Sequence, residues 1–310
     1  MEKILRVHNV NDYARYIGAP ELHPLVSVIH YDELEHCRHS LNSYDVYALF
    51  IGDEELENLS YGQLQYDLHL HALMCVAPGQ IGGKADTGEE IHTKGWALLF
   101  DIELLRATEL GRRMADYTFF NYSVSEALLM SDEQRLSIVS LLEQVRRELQ
   151  APRSAAPHAE RADTVHDIHT LRIVASYISI ILELVARYYA LQLSMSAKSS
   201  NSDLLPRFEY LLRQYYAQNL QRQHGLPTVK YCAQQLFLSP NYFGDLIREL
   251  TGDTATSLIR RFLMQRAQQL LIGGATITQT SEQLGFEYPQ HFTRQFKKHF
   301  GQTPSEFIKE

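Results

Sequence analysis

The chain has 310 residues, 45% of them hydrophobic, and carries a net charge of −8. That length accommodates two domains with separate cores, and the acidic total excludes a nucleic-acid binder that relies on bulk positive charge. Cys37, Cys75 and Cys232 lie far apart with no CxxC pair, so no disulfide framework is expected and the thiols fit a reducing, cytoplasmic setting.

The amino terminus, MEKILRVHNVNDY, lacks the apolar stretch of a signal peptide. From Leu25 to Phe100, the segments LVSVIHY, YDVYALFI, YDLHLHALMCVAP and GWALLF are rich in β-branched and aromatic residues. They are separated by Gly, Pro, Asp and Asn, which predicts a compact β domain. Trp96, within GWALLF, is expected in its core. Helical spacing begins after Asp101 and continues through SVSEALLMSDEQRLSIVSLLEQVRRELQ. Residues 151–163 read as a loop before a long helix from Thr164 to Leu193. The most apolar stretch, Ile173 to Ala186, contains Glu183 and is shorter than the roughly 20 residues a membrane span needs. The spacing of Leu171, Val174, Ile178, Ile181, Leu182 and Val185 predicts a packed or dimer-forming helix, with no membrane partner.

Residues 194–203, SMSAKSSNSD, are small, polar and without periodicity, and read as a linker between a domain at 1–193 and another at 204–310. The charge divides there. From residue 203 onward there are 12 Lys+Arg and 9 Asp+Glu, leaving 17 against 28 for residues 1–202, so an acidic module of net −11 carries a mildly basic one of net +3.

Beyond the linker every segment reads as helix. An amphipathic run from Leu204 to Gln223, closed by Gly225 and Pro227, precedes a weak internal repeat. Thr228, Val229, Leu236 and Leu238 recur as Thr276, Ile277, Leu284 and Phe286 at an offset of 48. Phe243, Ile247 and Gly252 recur as Phe292, Phe296 and Gly301 at an offset of 49. Each copy reads as two helices and a turn. Thr228 and Ser239 are expected caps in the first, Thr276 with Gln279 a capping box in the second, and Pro240 and Pro289 open the second helix of each. A helix over 256–271 joins the copies.

The outward side of the last long helix is expected to carry Gln290, His291, Thr293, Arg294, Lys297 and Lys298. Gln can pair with adenine and Arg with guanine, while Lys suits phosphate. The equivalent positions in the first copy are Asn241, Tyr242, Gly244, Asp245, Arg248 and Glu249. Two of these are acidic, so that copy reads as the weaker contributor to DNA binding.

GLPTVKYCAQQLFLSPNY, LIRELTG, RAQQLL and EQLGFEYPQHFTRQFKKHFGQTPSEF together resemble the paired helix-turn-helix domain of AraC/XylS-family bacterial transcriptional regulators. The resemblance covers about 100 residues. It implies an all-α domain of seven helices with two helix-turn-helix units joined by a linker helix. By position, Gln290 and Arg294 match family base-contacting sites, as do Asn241, Gly244 and Asp245. Thr280, Ser281 and Asp253 depart from the pattern. HPLVSVI, APGQ, KGWALLF and YTFFNYSVSEAL resemble sensor domains of such regulators from Bacteroidetes, implying a cupin-like β-barrel with trailing helices and an overall α+β two-domain chain. The implied partners are double-stranded promoter DNA, a small-molecule effector, RNA polymerase and a second copy forming a homodimer.

Two alternatives are weighed. His69 and His71 alternate on an expected strand and could begin a metal site in a cupin-type enzyme or sensor. Two ligands are too few, and His36, His39, Glu90 and His92 have no spacing that selects a third, so no metal or cofactor is expected. His166 and His169 read as solvated or structural. GxSxG, GxxxxGK[ST] and HExxH are absent from the sequence, GQIGGK reads as a turn, and no enzyme is expected. The second alternative is a regulator that acts mainly through a protein partner.

Overall fold

The computed structural model describes residues 4–35, 37–53, 56–61, 64–68, 71–84, 86, 88–106, 108–151, 159–199 and 204–308, with backbone alone at 56–61, 64–68, 124, 159–167 and 196–199. The chain forms two compact units, Met1–Gln192 and Leu193–Glu310. The first is β-rich and the second helical.

In chain order the first unit contains β1 (Ile4–Val7), α1 (Val10–Tyr16), β2 (Val26–His30), β3 (Cys37–Arg38), β4 (Leu41–Tyr44), β5 (Tyr47–Gly52), β6 (Leu56–Tyr61) and β7 (Leu64–Leu68). There follow β8 (Ala72–Val76), β9 (Ile81–Gly83), β10 (Glu90–Ile91), β11 (Gly95–Phe100), α2 (Glu109–Arg113), β12 (Leu128–Leu129), α3 (Asp132–Gln150) and α4 (Ala159–Ser199). One five-stranded sheet has the order β12-β8-β5-β11-β2 and the other β1-β4-β9-β6-β7, while β3 pairs with β10. The run GWALLF is buried along its length because β11 pairs on both edges, with β5 and β2. Trp96 is 4% exposed and stacks on His30, with ring centroids 4.1 Å apart. The core joins both sheets through Val7, Tyr13, Ile29, Tyr44, Val76 and Leu99, with α1 packed against it.

Ion pairs attach α3 to this sheet. Arg135 engages Asp53 and Arg146 engages Glu33, each through two hydrogen bonds. Hydrogen bonds from Arg146 and then His30 draw the Glu33 carboxyl down to about 2. In α4, Val174, Ile178, Ile181, Leu182 and Val185 are fully buried. Glu183, the charge inside this apolar run, accepts from Arg113 at 2.8 Å and from the Tyr117 hydroxyl at 2.9 Å. From Ile168 to Met195 the helix is also long and apolar enough to cross a membrane.

The second unit contains α5 (Leu204–Ala217), α6 (Gln221–His224), α7 (Val229–Gln235), α8 (Pro240–Thr251), α9 (Ala255–Ile272), α10 (Ile277–Leu284), α11 (Pro289–Phe300) and α12 (Pro304–Phe307). Thr228, Ser239 and Thr276 cap α7, α8 and α10 as expected, and Thr276 forms the full box with Gln279.

Four local expectations are corrected. The helix assigned to Thr164 onward begins at Ala159, within the expected loop, because AERAD is composed of helix-tolerant residues. It also continues to Ser199, since nothing from Ser194 to Ser199 is Gly or Pro. The run from Leu204 to Gln223 breaks after Ala217, where Asn219 adopts φ 58°, a left-handed conformation that asparagine tolerates. YDLHLHALM is not one strand: His71 sits between β7 and β8 at φ 59°, its amide donating to the Gly52 carbonyl at 2.9 Å.

Thr280 and Ser281 are fully buried in α10, and neither hydroxyl has a hydrogen-bond partner. An unpaired buried hydroxyl costs about 1–3 kcal/mol. Ser281→Ala is therefore expected to raise the free energy of unfolding by about 1 kcal/mol in urea titrations. A destabilised variant would show that the hydroxyl is satisfied.

Candidate nucleic-acid interface

The rotation of α11 is set by its aromatic side. Phe292 and Phe296 are 0% exposed. Phe292 lies 5.6 Å from Phe286, and Phe296 lies 4.6 Å from Phe300 and 5.6 Å from Phe307, between ring centroids. With that side inward, positions 290, 294, 297 and 298 fall together on the opposite side by helical spacing. Gln290, His291, Arg294, Lys297 and Lys298 are all exposed. No Asp or Glu occurs in α11, and Lys297 and Lys298 also sit favourably at the negative end of its macrodipole. Thr293 is half-buried, and its hydroxyl donates to the Pro289 carbonyl at 3.0 Å.

Close backbone contact seats the turn before α11. Gly285 adopts φ +87°, and a Cβ there would lie 2.9 Å from the Gly225 carbonyl. Both requirements select glycine. The Tyr216 hydroxyl donates to the Leu284 carbonyl and that of Tyr215 to the Gly225 carbonyl, each at 3.0 Å, so the α6–α7 loop and this turn are held as one piece.

The second helix of the first pair, α8, presents a different surface. Tyr242, expected outward, is instead 8% exposed, because it follows the apolar side of Phe243 and Leu246 into the core. Asn241 is half-buried. Asp245 keeps only 17% of its side chain exposed and pairs with Arg248 at 3.3 Å, so each offsets the other's charge. A Cβ at Gly244 would meet nothing within 4 Å, so packing does not require glycine there. Asp253 precedes Thr254, the cap of α9: hydrogen bonds from Ser257 and Thr254, with Arg261 at 2.6 Å, hold its carboxyl below the ordinary range.

The equivalent of Gly285 in the first pair is Phe237, which adopts φ 61° and is 86% exposed. The repeat alignment points to this position, although helical patterning gives it no role.

Only part of the alternative metal site falls within the described residues. His69 and His36 lie outside the described residues, as does the side chain of His166. His71 faces Asp132 at 3.2 Å, and among the described residues no group of three His, Cys, Asp or Glu is arranged to hold a metal. GQIGGK, expected as a turn, is one only at Gly79, which follows Pro78, while Ile81–Gly83 form β9.

Residues 232–310 match the family model described as a helix-turn-helix domain. Over 84 residues the chain is 32% identical to the uncharacterized transcriptional regulatory protein YesN of Bacillus subtilis, an alignment spanning 26% of this chain and 23% of that protein. Over 76 residues it is 34% identical to histidine kinase P4 of Formosa agariphila, spanning 24% and 6% respectively. Among solved structures it is similar to ToxT of Vibrio cholerae with unsaturated fatty acid bound, at 15% identity and a TM-score of 0.24, covering 92% of this chain and 94% of that one. The chain thus spans less than a quarter of either sequence relative. Its carboxy-terminal region carries a helix-turn-helix domain of AraC type, a DNA-binding module of transcriptional regulators and not an enzyme's catalytic domain.

A non-glycine residue in the left-handed region costs about 1–2 kcal/mol. Phe237→Gly is expected to recover about 1 kcal/mol of stability by thermal melting, since the exposed ring has little packing to lose. A lower melting temperature would show that the ring supports the fold.

Proposed function

We propose that the protein is a sequence-specific transcriptional regulator that reads duplex promoter DNA through two helix-turn-helix units, α7–α8 and α10–α11. The observation that carries this reading is the exposed, acid-free stripe of Gln290, Arg294, Lys297 and Lys298 on α11, opposite its fully buried phenylalanines. Gln290 and Arg294 face base edges, and Lys297 and Lys298 lie at the flanking phosphates. The 18 residues of α9 span about 27 Å, a spacer compatible with successive major grooves ~34 Å apart. The first unit contributes less, because Asp245 occupies Arg248 and α8 offers no comparable cationic stripe. The β-rich unit serves as a cupin-like sensor for a small-molecule effector, and the protein works in the cytoplasm.

A second reading, in which α7–α8 contacts a protein partner such as RNA polymerase, is favoured by Phe237, an exposed aromatic kept in a costly backbone conformation.

The dimer of this regulator forms through α4. Opposite its buried side, Ile173, Tyr177, Ile180, Leu184, Arg187 and Leu191 recur at alternating spacings of four and three residues, the seam of a coiled coil. Ile173, Ile180 and Leu191 are 41%, 49% and 52% exposed, and a helix apolar on both sides calls for cover. An antiparallel second copy sets Ile173 against Leu191, Ile180 against Leu184, and Arg187 over Tyr177. A parallel copy would oppose Arg187 to itself, so charge selects the antiparallel arrangement.

Arg294→Ala is expected to lose about 1–3 kcal/mol on the cognate site and to relax preference at one base pair. Lys297→Ala should weaken specific and random duplexes alike and flatten the salt dependence. Titrations at several salt concentrations separate the two, and equal losses on both duplexes for Arg294→Ala would refute base reading. For the dimer, Ile180→Glu should convert the protein to monomer in sedimentation equilibrium, and an unchanged mass would refute the α4 seam.

A further inference from the structure

A cavity of about 120 Å³ opens inside the β-rich unit. Tyr13, Tyr44 and Phe50 form a three-ring box on its wall, with centroids 5.9–6.4 Å apart. The Tyr13 and Tyr31 hydroxyls lie 2.8 Å apart, so one donates to the other and the pair retains a proton to give. The Tyr44 hydroxyl accepts from the Asn42 amide at 2.9 Å, which leaves its own proton available. Burial raises the pKa of all three phenols above the ordinary range, so they remain donors across physiological pH.

The charge of the lining is one-sided. Arg38, Lys84 and Lys94 line the cavity, and its described lining contains no Asp or Glu, although residues 1–202 carry a net charge of −11. Just outside the lining, Glu90 sits across the β3–β10 pair from Arg38, and Asp86 accepts from the Tyr16 hydroxyl at 3.2 Å. Hydroxyl donors on the aromatic wall and cations in the same lining, with Arg38 and Lys94 exposed, select an anion with an apolar body. Volume limits that body: the cavity is somewhat smaller than the about 150 Å³ that encloses a benzene ring, so it holds no more than one ring and leaves a carboxylate at the opening. Long acyl chains and nucleotides exceed that volume.

We propose that this cavity binds a compact, single-ring carboxylate, its ring against Tyr13, Tyr44 and Phe50 and its carboxylate held by the tyrosine hydroxyls and the basic side chains at the opening. This names the chemical class of the effector and rests on the reading of the β-rich unit as a sensor.

Calorimetric titration of the full chain with benzoate, phenylacetate, benzamide and hexadecanoate tests the assignment, alongside binding to a promoter duplex with and without each compound. At least one single-ring carboxylate should bind, with benzamide at least tenfold weaker. Arg38→Gln should weaken that carboxylate about tenfold while leaving ligand-free DNA binding unchanged, and Tyr31→Phe should weaken it without altering the melting temperature by more than a few degrees. Benzamide binding as tightly as benzoate, hexadecanoate binding in preference to both carboxylates, or no binding by any of the four would overturn the proposal. Carboxylate binding that leaves DNA affinity unchanged would support the ligand class and refute the sensor reading alone.

Discussion

Burial of Phe292 and Phe296 is the constraint on which the carboxy-terminal unit depends. Fully burying one such side chain is worth about 1.5–3 kcal/mol, against about 5–15 kcal/mol for the stability of a whole domain. Turning α11 by one residue would expose both rings and bring Arg294 toward the core. That penalty exceeds anything a surface hydrogen bond could recover. The side chains that α11 leaves exposed are therefore chosen by the hydrophobic side, and the contacts of Gly285 with Gly225 fix where that helix begins.

The two helix pairs show how one scaffold supports unequal surfaces. In each pair a threonine hydroxyl caps the first helix, and the second is opened by proline and closed by a left-handed glycine, with a side-chain cap at α8 but not at α11. The core side is conserved between them in kind, whereas the outer side is free to diverge because it contributes little to folding. In α11 that freedom leaves an exposed cationic stripe; in α8 it leaves an internal Asp245–Arg248 pair and a buried Tyr242. Phe237 is the exception, since it departs from the repeat at a position where departure has a backbone cost.

The amino-terminal unit solves a different problem. Three of its acidic residues attach helices: Asp53 and Glu33 hold α3, and Glu183 ties α4 to Arg113 and Tyr117. This arrangement lets an apolar α4 retain a carboxylate in its sequence. Arg38, Lys84 and Lys94 line an aromatic cavity in this unit, whose average charge is strongly negative.

Much of this architecture was readable from local chemistry. Caps at Thr228, Ser239 and Thr276, the prolines after them, and the phenylalanine spacing in α11 all act within a few residues, so they survive any tertiary context. By contrast, composition alone misplaced both ends of α4, because small polar residues without Gly or Pro extend a helix once its middle is packed. The strand expected at His71 failed for a related reason: its amide pairs with Gly52, a partner distant in sequence. The burial of Tyr242 and the pairing of Asp245 depend on neighbouring elements in the same way. Sequence by itself determined the helical repeat, its caps and the polarity of its helices, since these follow from short-range hydrogen bonding and side-chain periodicity. Only the tertiary structure decided which polar groups were spent on internal partners and which residues enclosed a cavity, because those outcomes require segments far apart in the chain to meet.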